Sequence, residues 1–131
     1  MVIDNKNYEF KRLRRFEEIA GALLINNTST FKHFTFLTRG TKILSIGWND
    51  ITKNSKLVEY PLGGIHSEAM AIGNLADLND CRRATLINIR LNNHRVLRNA
   101  KPCDVCFGLL YRMGFKRLYY STNDGFSYIH L

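Results

Sequence analysis

The sequence predicts an α/β fold of three layers, α/β/α, built as one domain over residues 1–131 around a mixed five-stranded sheet. Three observations predict it. Segments with helical and strand periodicity alternate in the order α-β-β-α-β-α-β-β. One strand candidate, residues 84–91 (ATLINIRL), is a β-branched and aliphatic run, the pattern of a strand covered on both faces. A chain of 131 residues, 45% hydrophobic and 23% charged, suffices for one buried core, and no repeat or linker divides it.

The first element is an amphipathic helix over about residues 8–24. Phe10, Leu13, Phe16, Ala20 and Leu23 or Leu24 fall at helical spacing, flanked by Lys11, Arg12, Arg14 and Arg15. The polar run Asn26-Asn27-Thr28-Ser29-Thr30 ends it. Residues 32–37 and 42–48 are β-rich and joined through Arg39-Gly40, which predicts an antiparallel hairpin. A polar loop over 49–56 leads through Pro61 to Gly63-Gly64. Beyond it Ile65, Ala69, Ile72, Gly73 and Ala76 mark one face of a second helix. After strand 84–91, a basic loop over 92–101 precedes a third helix, from 103 to about 113, stopped by Gly114. Leu118-Tyr119-Tyr120 and residues 126–131 are the last two strands, turning at Asn123-Asp124-Gly125.

No apolar run reaches the roughly 18 residues of a bilayer span. Residues 1–15 hold no apolar stretch of signal-peptide length, so the expectation is an intracellular, cytoplasmic protein with no membrane partner. Three cysteines, two of them three apart, make no disulfide framework and point to metal or redox chemistry. The formal net charge of +8 is carried entirely by the stretch from Cys81 to Arg117, with nine basic residues against one acid, Asp104. Basic charge so concentrated attracts anions such as phosphates. Arg90, Arg95, Arg98 and Lys101, in the loop before Pro102, are the candidate phosphate-binding residues and should ring a pocket mouth. The stretch 81–117 is a candidate nucleic-acid contact, with a solvated basic face as the plain alternative.

The chemistry concentrates in two motifs. His66-Ser67-Glu68 opens the second helix and Pro102-Cys103-Asp104-Val105-Cys106 opens the third. Cysteines at i and i+3 share a helix face and can grip one ion. In the first turn they meet the positive end of the helix dipole, which lowers thiol pKa and favours the thiolate. With His66 they make three ligands for Zn²⁺, one short of a closed tetrahedron, and an open fourth position distinguishes a catalytic zinc from a structural one. His94 is the nearest candidate for a fourth ligand. Glu68, two residues past the histidine, is placed to take a proton from a zinc-bound water. The composite H-x-E…P-C-x-x-C is the signature of zinc nucleobase deaminases. Elsewhere, Cys81 reads as packing, and His33 and His130 as core-edge or surface residues. Trp48, Phe126 and Tyr128 read as core in preference to base-stacking groups.

Through these motifs the chain resembles the cytidine deaminase superfamily, which includes cytidine and deoxycytidylate deaminases and tRNA adenosine deaminases. The element order is similar to that fold over nearly the whole chain. The resemblance implies a cytidine deaminase-like fold with Zn²⁺ as cofactor, held by His66, Cys103 and Cys106. It implies that Glu68 is catalytic, carrying a proton from the zinc-bound water to the ring nitrogen and later to the departing ammonia. It further implies that the Ser67 backbone N–H binds the base carbonyl and that Asn49 binds the sugar, a turn residue being the equal alternative for Asn49. There are departures. Ser67 stands where alanine is commonest, and Ile51 where free-nucleoside enzymes usually carry glutamate. Gly47-Trp48-Asn49 looks like the enzymes acting on tRNA or nucleotides, whereas the C-terminal hairpin resembles the nucleoside branch, whose last two strands are antiparallel. The expected function is zinc-dependent hydrolytic deamination of a cytosine base to uracil in a (deoxy)nucleoside or nucleotide. The alternatives are deamination of cytosine or adenine within RNA or single-stranded DNA, and a non-catalytic zinc-stabilised binding module. A homo-oligomer is expected by resemblance.

Overall fold

The computed structural model describes residues 2–4 and 7–131, with side chains from Lys11 onward. Its strands are β1 (Val2–Asp4), β2 (Lys32–Arg39), β3 (Lys42–Trp48), β4 (Thr85–Leu91), β5 (Leu97–Arg98), β6 (Arg117–Thr122) and β7 (Gly125–His130). Its α-helices are α1 (Asn7–Ala22), α2 (Ser67–Gly73) and α3 (Asp104–Met113). The sheet runs β1-β7-β6-β4-β2-β3, with β5 paired to β4. β4 and β6 are parallel and the other neighbours antiparallel. All five strands of the sequence reading are therefore present, in the order β7-β6-β4-β2-β3. Two short strands extend that sheet. β1 is three residues, too few to show a period, and β5 is two residues inside the basic loop.

Alternation along the central strands divides the core into two layers. Phe34 and Phe36 of β2 and Ile87 and Ile89 of β4 pack with Leu13, Phe16 and Ala20 of α1. Leu37 and Leu86 belong to the opposite cluster, with Ala71 and Ile72 of α2 and Leu109 and Leu110 of α3. One helix thus covers one face and two cover the other, the three-layer arrangement. The Phe10 side chain, first in the expected stripe of α1, lies outside the described residues. Phe126 is buried, Tyr128 packs on Tyr119 at 4.8 Å between ring centroids, and Cys81 is fully buried in the core. Among the described residues no helix is long and apolar enough to cross a membrane.

Helix α2 is shorter than its apolar spacing suggests, and the sheet explains why. Ile65 pairs with Asp50 in an isolated bridge before the helix, and Ala76 lies beyond its end. Ser45 Oγ donates to Ala71 O at 2.7 Å, and Asn74 Nδ2 donates to Ile46 O at 3.0 Å. β3 thereby satisfies a carbonyl at the end of α2 and holds the residue that follows it. This needs a close approach. A Cβ at Gly47 would lie 2.3 Å from Ala71 N and 2.5 Å from Ser67 O, so only glycine lets α2 rest on β3.

Gly47→Ala is expected to destabilise the protein by about 1–3 kcal/mol or more, because backbone cannot yield as a flexible side chain can. Gly73→Ala is its control: a Cβ there meets nothing within 4 Å, and a helical alanine should stabilise by roughly 0.5–1 kcal/mol. Denaturant unfolding of the two variants checks the contrast, which equal midpoints would contradict.

Candidate active site

Two helix starts bring the metal-binding residues together. Gly63 and Gly64, at φ +73° and +77°, turn the chain back to the end of β3. There Asp50 and Ile65 exchange backbone hydrogen bonds of 3.0 and 2.9 Å. His66 follows as the extended cap residue of α2, Cys103 occupies the same place before α3, and Cys106 lies in the first turn of α3. Cys103 Sγ and Cys106 Sγ stand 3.7 and 3.6 Å from His66 Nδ1, and the three ligand atoms lie within 4.8 Å of one another. Bond lengths of about 2.3 Å for Zn–S and about 2.0–2.1 Å for Zn–N, at a tetrahedral angle, separate sulfur from nitrogen by about 3.6 Å. The group has the spacing and the donor chemistry of a zinc site, and zinc is the cofactor it fits. Among the described residues it is the one cluster of three His, Cys, Asp or Glu placed to hold an ion. His94 is exposed in the turn after β4 and takes no part in it.

Burial sets the protonation of these groups. It holds the His66 imidazole below its ordinary range against the opposing pull of Glu68, leaving a nitrogen lone pair free for a metal. It pushes the Cys106 thiol well up, and the charge of Glu68 adds to the rise. The lowered thiol expected at the helix start is not found at Cys106, where burial is the largest influence and raises it. A dication is what brings this buried thiol to its ligand form.

Tyr60 supports two of the three ligands. Its ring stacks on His66 at 3.7 Å between centroids and 10° between planes, and its hydroxyl lies 3.0 Å from Cys106 Sγ. Burial and the neighbouring cysteine raise the phenol far above its usual pKa, so it keeps its proton and is the donor once Cys106 is a thiolate ligand. No motif singles Tyr60 out in the sequence; its only signal is an aromatic in a polar loop shortly before the histidine.

His66, Glu68 and Cys103 open onto one cavity of about 280 Å³, near the low end for small-ligand sites. Phe31, His33 and Lys101 also line it, as do Asn49 and Ser67. Glu68 is 5% exposed, with Ser67 Oγ donating to Oε1 and Asn88 Nδ2 to Oε2, both at 3.1 Å. His33, read from the sequence as a core-edge or surface residue, faces this site. Asn49 is held by its surroundings: Oδ1 accepts from Asn27 Nδ2 at 2.8 Å and from His33 N at 3.1 Å, and Nδ2 donates to Phe31 O at 2.6 Å. It shapes the loop over 27–33 that walls the cavity.

The four basic candidates are not placed alike. Lys101 lines the cavity, and the Arg90 guanidinium sits 4.7 Å from the centroid of the Phe31 ring at its edge. Arg98 donates to the carbonyl of Leu97. Arg95 reaches across to Gly21 on α1, on the other face of the sheet. The sequence reading passed over Thr35, Asn88, Tyr60 and Phe31. Asn88 did carry a signal: an amide among the aliphatic residues of 84–91 must find buried partners.

Comparison with known proteins bears on the whole arrangement. Residues 20–122 match the family model described as the cytidine and deoxycytidylate deaminase zinc-binding region. No curated protein matches the chain. Among solved structures, the cytidine deaminase from Mycobacterium leprae is similar with a TM-score of 0.55 and 21% identity, covering 93% of this chain and 92% of that one. The dCMP deaminase from the cyanophage S-TIM5, in apo form, gives a TM-score of 0.54 and 17% identity, covering 88% of this chain and 84% of that one. At these identities the likeness is one of fold.

Tyr60→Phe keeps the stacked ring and removes the donor to Cys106, so zinc affinity should fall by about 10–100-fold. Chelator competition measures it, and an unchanged affinity would show that the hydroxyl does not support the site. The same titration should show apparent zinc affinity rising from mildly acidic to mildly alkaline buffer. A thiol pushed up by burial keeps its proton at neutral pH, and the ion must displace it. A flat profile would contradict the raised Cys106 thiol.

Proposed function

The chain belongs to the cytidine and deoxycytidylate deaminase zinc-binding family, and from that premise we propose that it hydrolyses a cytosine base to uracil in a (deoxy)nucleoside or nucleotide. One observation carries the proposal: three ligands with zinc spacing share a cavity with a buried carboxylate. When bound, the ion supplies Lewis acidity, enough in catalytic zinc sites to lower the pKa of a water to about 7. The protein's part is proton transfer and positioning. Water adds its oxygen at C4 and the amino group leaves as ammonia, so both hydrogens of the water end on nitrogen, at N3 and on the ammonia. Glu68 is the carboxylate in reach to carry them. The Ser67 backbone N–H, at the start of α2, donates to the base carbonyl. Asn49 has one amide hydrogen beyond its bond to Phe31 O and is the candidate for the sugar.

The antiparallel pairing of β6 and β7 supports a nucleoside-sized substrate by the branch resemblance, and Lys101 at the cavity supports a phosphate on it. Phe31, Ile51 and Leu62 are large, exposed and apolar and line a second cavity of about 480 Å³ that also includes His66. They support completion of the pocket by a second copy of the chain. A second reading has its own observation. Phe31 is 59% exposed and backed by Arg90, an aromatic platform with a cation beside it, which suits a base of single-stranded nucleic acid.

A panel of cytidine, deoxycytidine, their monophosphates, and short RNA and DNA oligomers, scored for ammonia release, decides among these. Turnover of free nucleosides or nucleotides is the expected result. Turnover of oligomers alone, with affinity falling steeply as salt rises, selects the second reading. Glu68→Ala should lower kcat by at least about 10²–10⁴-fold while zinc content is retained. A wild-type protein that holds zinc and turns over nothing is a binding module.

A further inference from the structure

Thr35, Ser67, Glu68 and Asn88 close a ring of contacts beside the cavity. Thr35 Oγ1 donates to Asn88 Oδ1 at 2.6 Å, Asn88 Nδ2 to Glu68 Oε2 at 3.1 Å, and Ser67 Oγ to Glu68 Oε1 at 3.1 Å. Thr35 Oγ1 and Ser67 Oγ lie 2.8 Å apart and close the ring as a contact between the two hydroxyls, which have one hydrogen each. None of the four is more than 5% exposed. The sheet prepares half of this ring. Thr35 and Asn88 are cross-strand partners in the β2–β4 register, so both face the start of α2, where Ser67 and Glu68 descend onto them.

Donor inventory fixes the directions. Asn88 Nδ2 meets the Glu68 carboxylate and Ala100 O, at 3.1 and 3.3 Å, and both accept only. Its two hydrogens are committed, and the amide can stand only this way round. Asn88 Oδ1 then takes the one Thr35 hydrogen, so the Thr35–Ser67 pair carries a hydrogen bond only when Ser67 supplies it. With Glu68 ionised, the charged Oε1 is the stronger acceptor and draws the Ser67 hydrogen. We infer that Thr35, Ser67 and Asn88 are positioning residues that fix Glu68 by both carboxylate oxygens on the cavity wall. The inference rests on the deaminase reading of the site. A glutamate in an open pocket samples several rotamers, and two donors at set places remove that freedom before substrate arrives. Asn88 also joins Glu68 to Ala100, three residues before Cys103, so one amide ties the proton carrier to the segment that delivers a metal ligand. Ser67, where the chain departs from the commonest motif, is the group that reaches Oε1.

Thr35→Val keeps the shape of the side chain and removes its hydroxyl, and Thr35→Ser restores the hydroxyl. Ser67→Ala deletes the contact to Oε1 and serves if Thr35→Val does not fold. The expected result is a kcat about 10–100-fold lower in Thr35→Val, a KM within about twofold of wild type, unchanged zinc content and affinity, and recovery in Thr35→Ser. Crystal structures should show the Glu68 carboxylate turned, or split between two conformers, in Thr35→Val and Ser67→Ala. A wild-type kcat with the carboxylate in place overturns the inference, as does a loss that Thr35→Ser fails to restore. A wild-type protein that deaminates nothing overturns the deaminase reading instead, and the crystal structures still decide the ring, an unmoved carboxylate overturning it.

Discussion

Helix α2 lies on β3 backbone against backbone, and the placement of the site follows from that contact. With no side chain at Gly47, the helix sits one methyl group closer to the sheet than any other residue would permit. At that depth Ser67 reaches Thr35 on β2, and Glu68 reaches Asn88 on β4. The helix cap then sets His66 within ligand distance of two sulfurs at the start of α3. Stability and site geometry thus share one cause, and a shift of α2 outward would loosen both.

Much of this was legible in the sequence, and what was not has physical reasons. The metal ligands announce themselves because H-x-E and P-C-x-x-C occur together, each at a helix start, and the strands because aliphatic runs and turn residues mark them. The ends of α2 were not legible, since the carbonyl that Ser45 satisfies and the anchor of Asn74 lie on β3, distant in sequence. Tyr60 and Thr35 were missed for the same reason: their importance lies in what folds against them. Arg95 shows the converse error. Sequence adjacency grouped it with Lys101, yet the turn after β4, with Arg95 at φ +61°, carries its side chain to the opposite face.

Electrostatically the site is arranged around a charge that the protein does not itself supply. Burial keeps His66 neutral and raises the Cys106 thiol, and Glu68 sits close enough to add to that rise. Left to the protein alone, His66 and Cys106 both favour their neutral forms. A divalent cation reverses that balance at the Cys106 thiol and disfavours protonation of His66 still further. Tyr60, whose phenol keeps its proton, contributes a hydrogen bond without adding another negative charge.

The two ligand sulfurs differ in a way that gives the site a direction. Cys106 is buried beneath Tyr60, whereas Cys103 is exposed at the cavity edge. Chelators, oxidants and thiol reagents arriving from solvent would therefore meet Cys103 before Cys106. Cys81, fully enclosed and with its thiol raised to about 11, is shielded from the same reagents, which leaves Cys103 as the one cysteine of the three that solvent reaches directly.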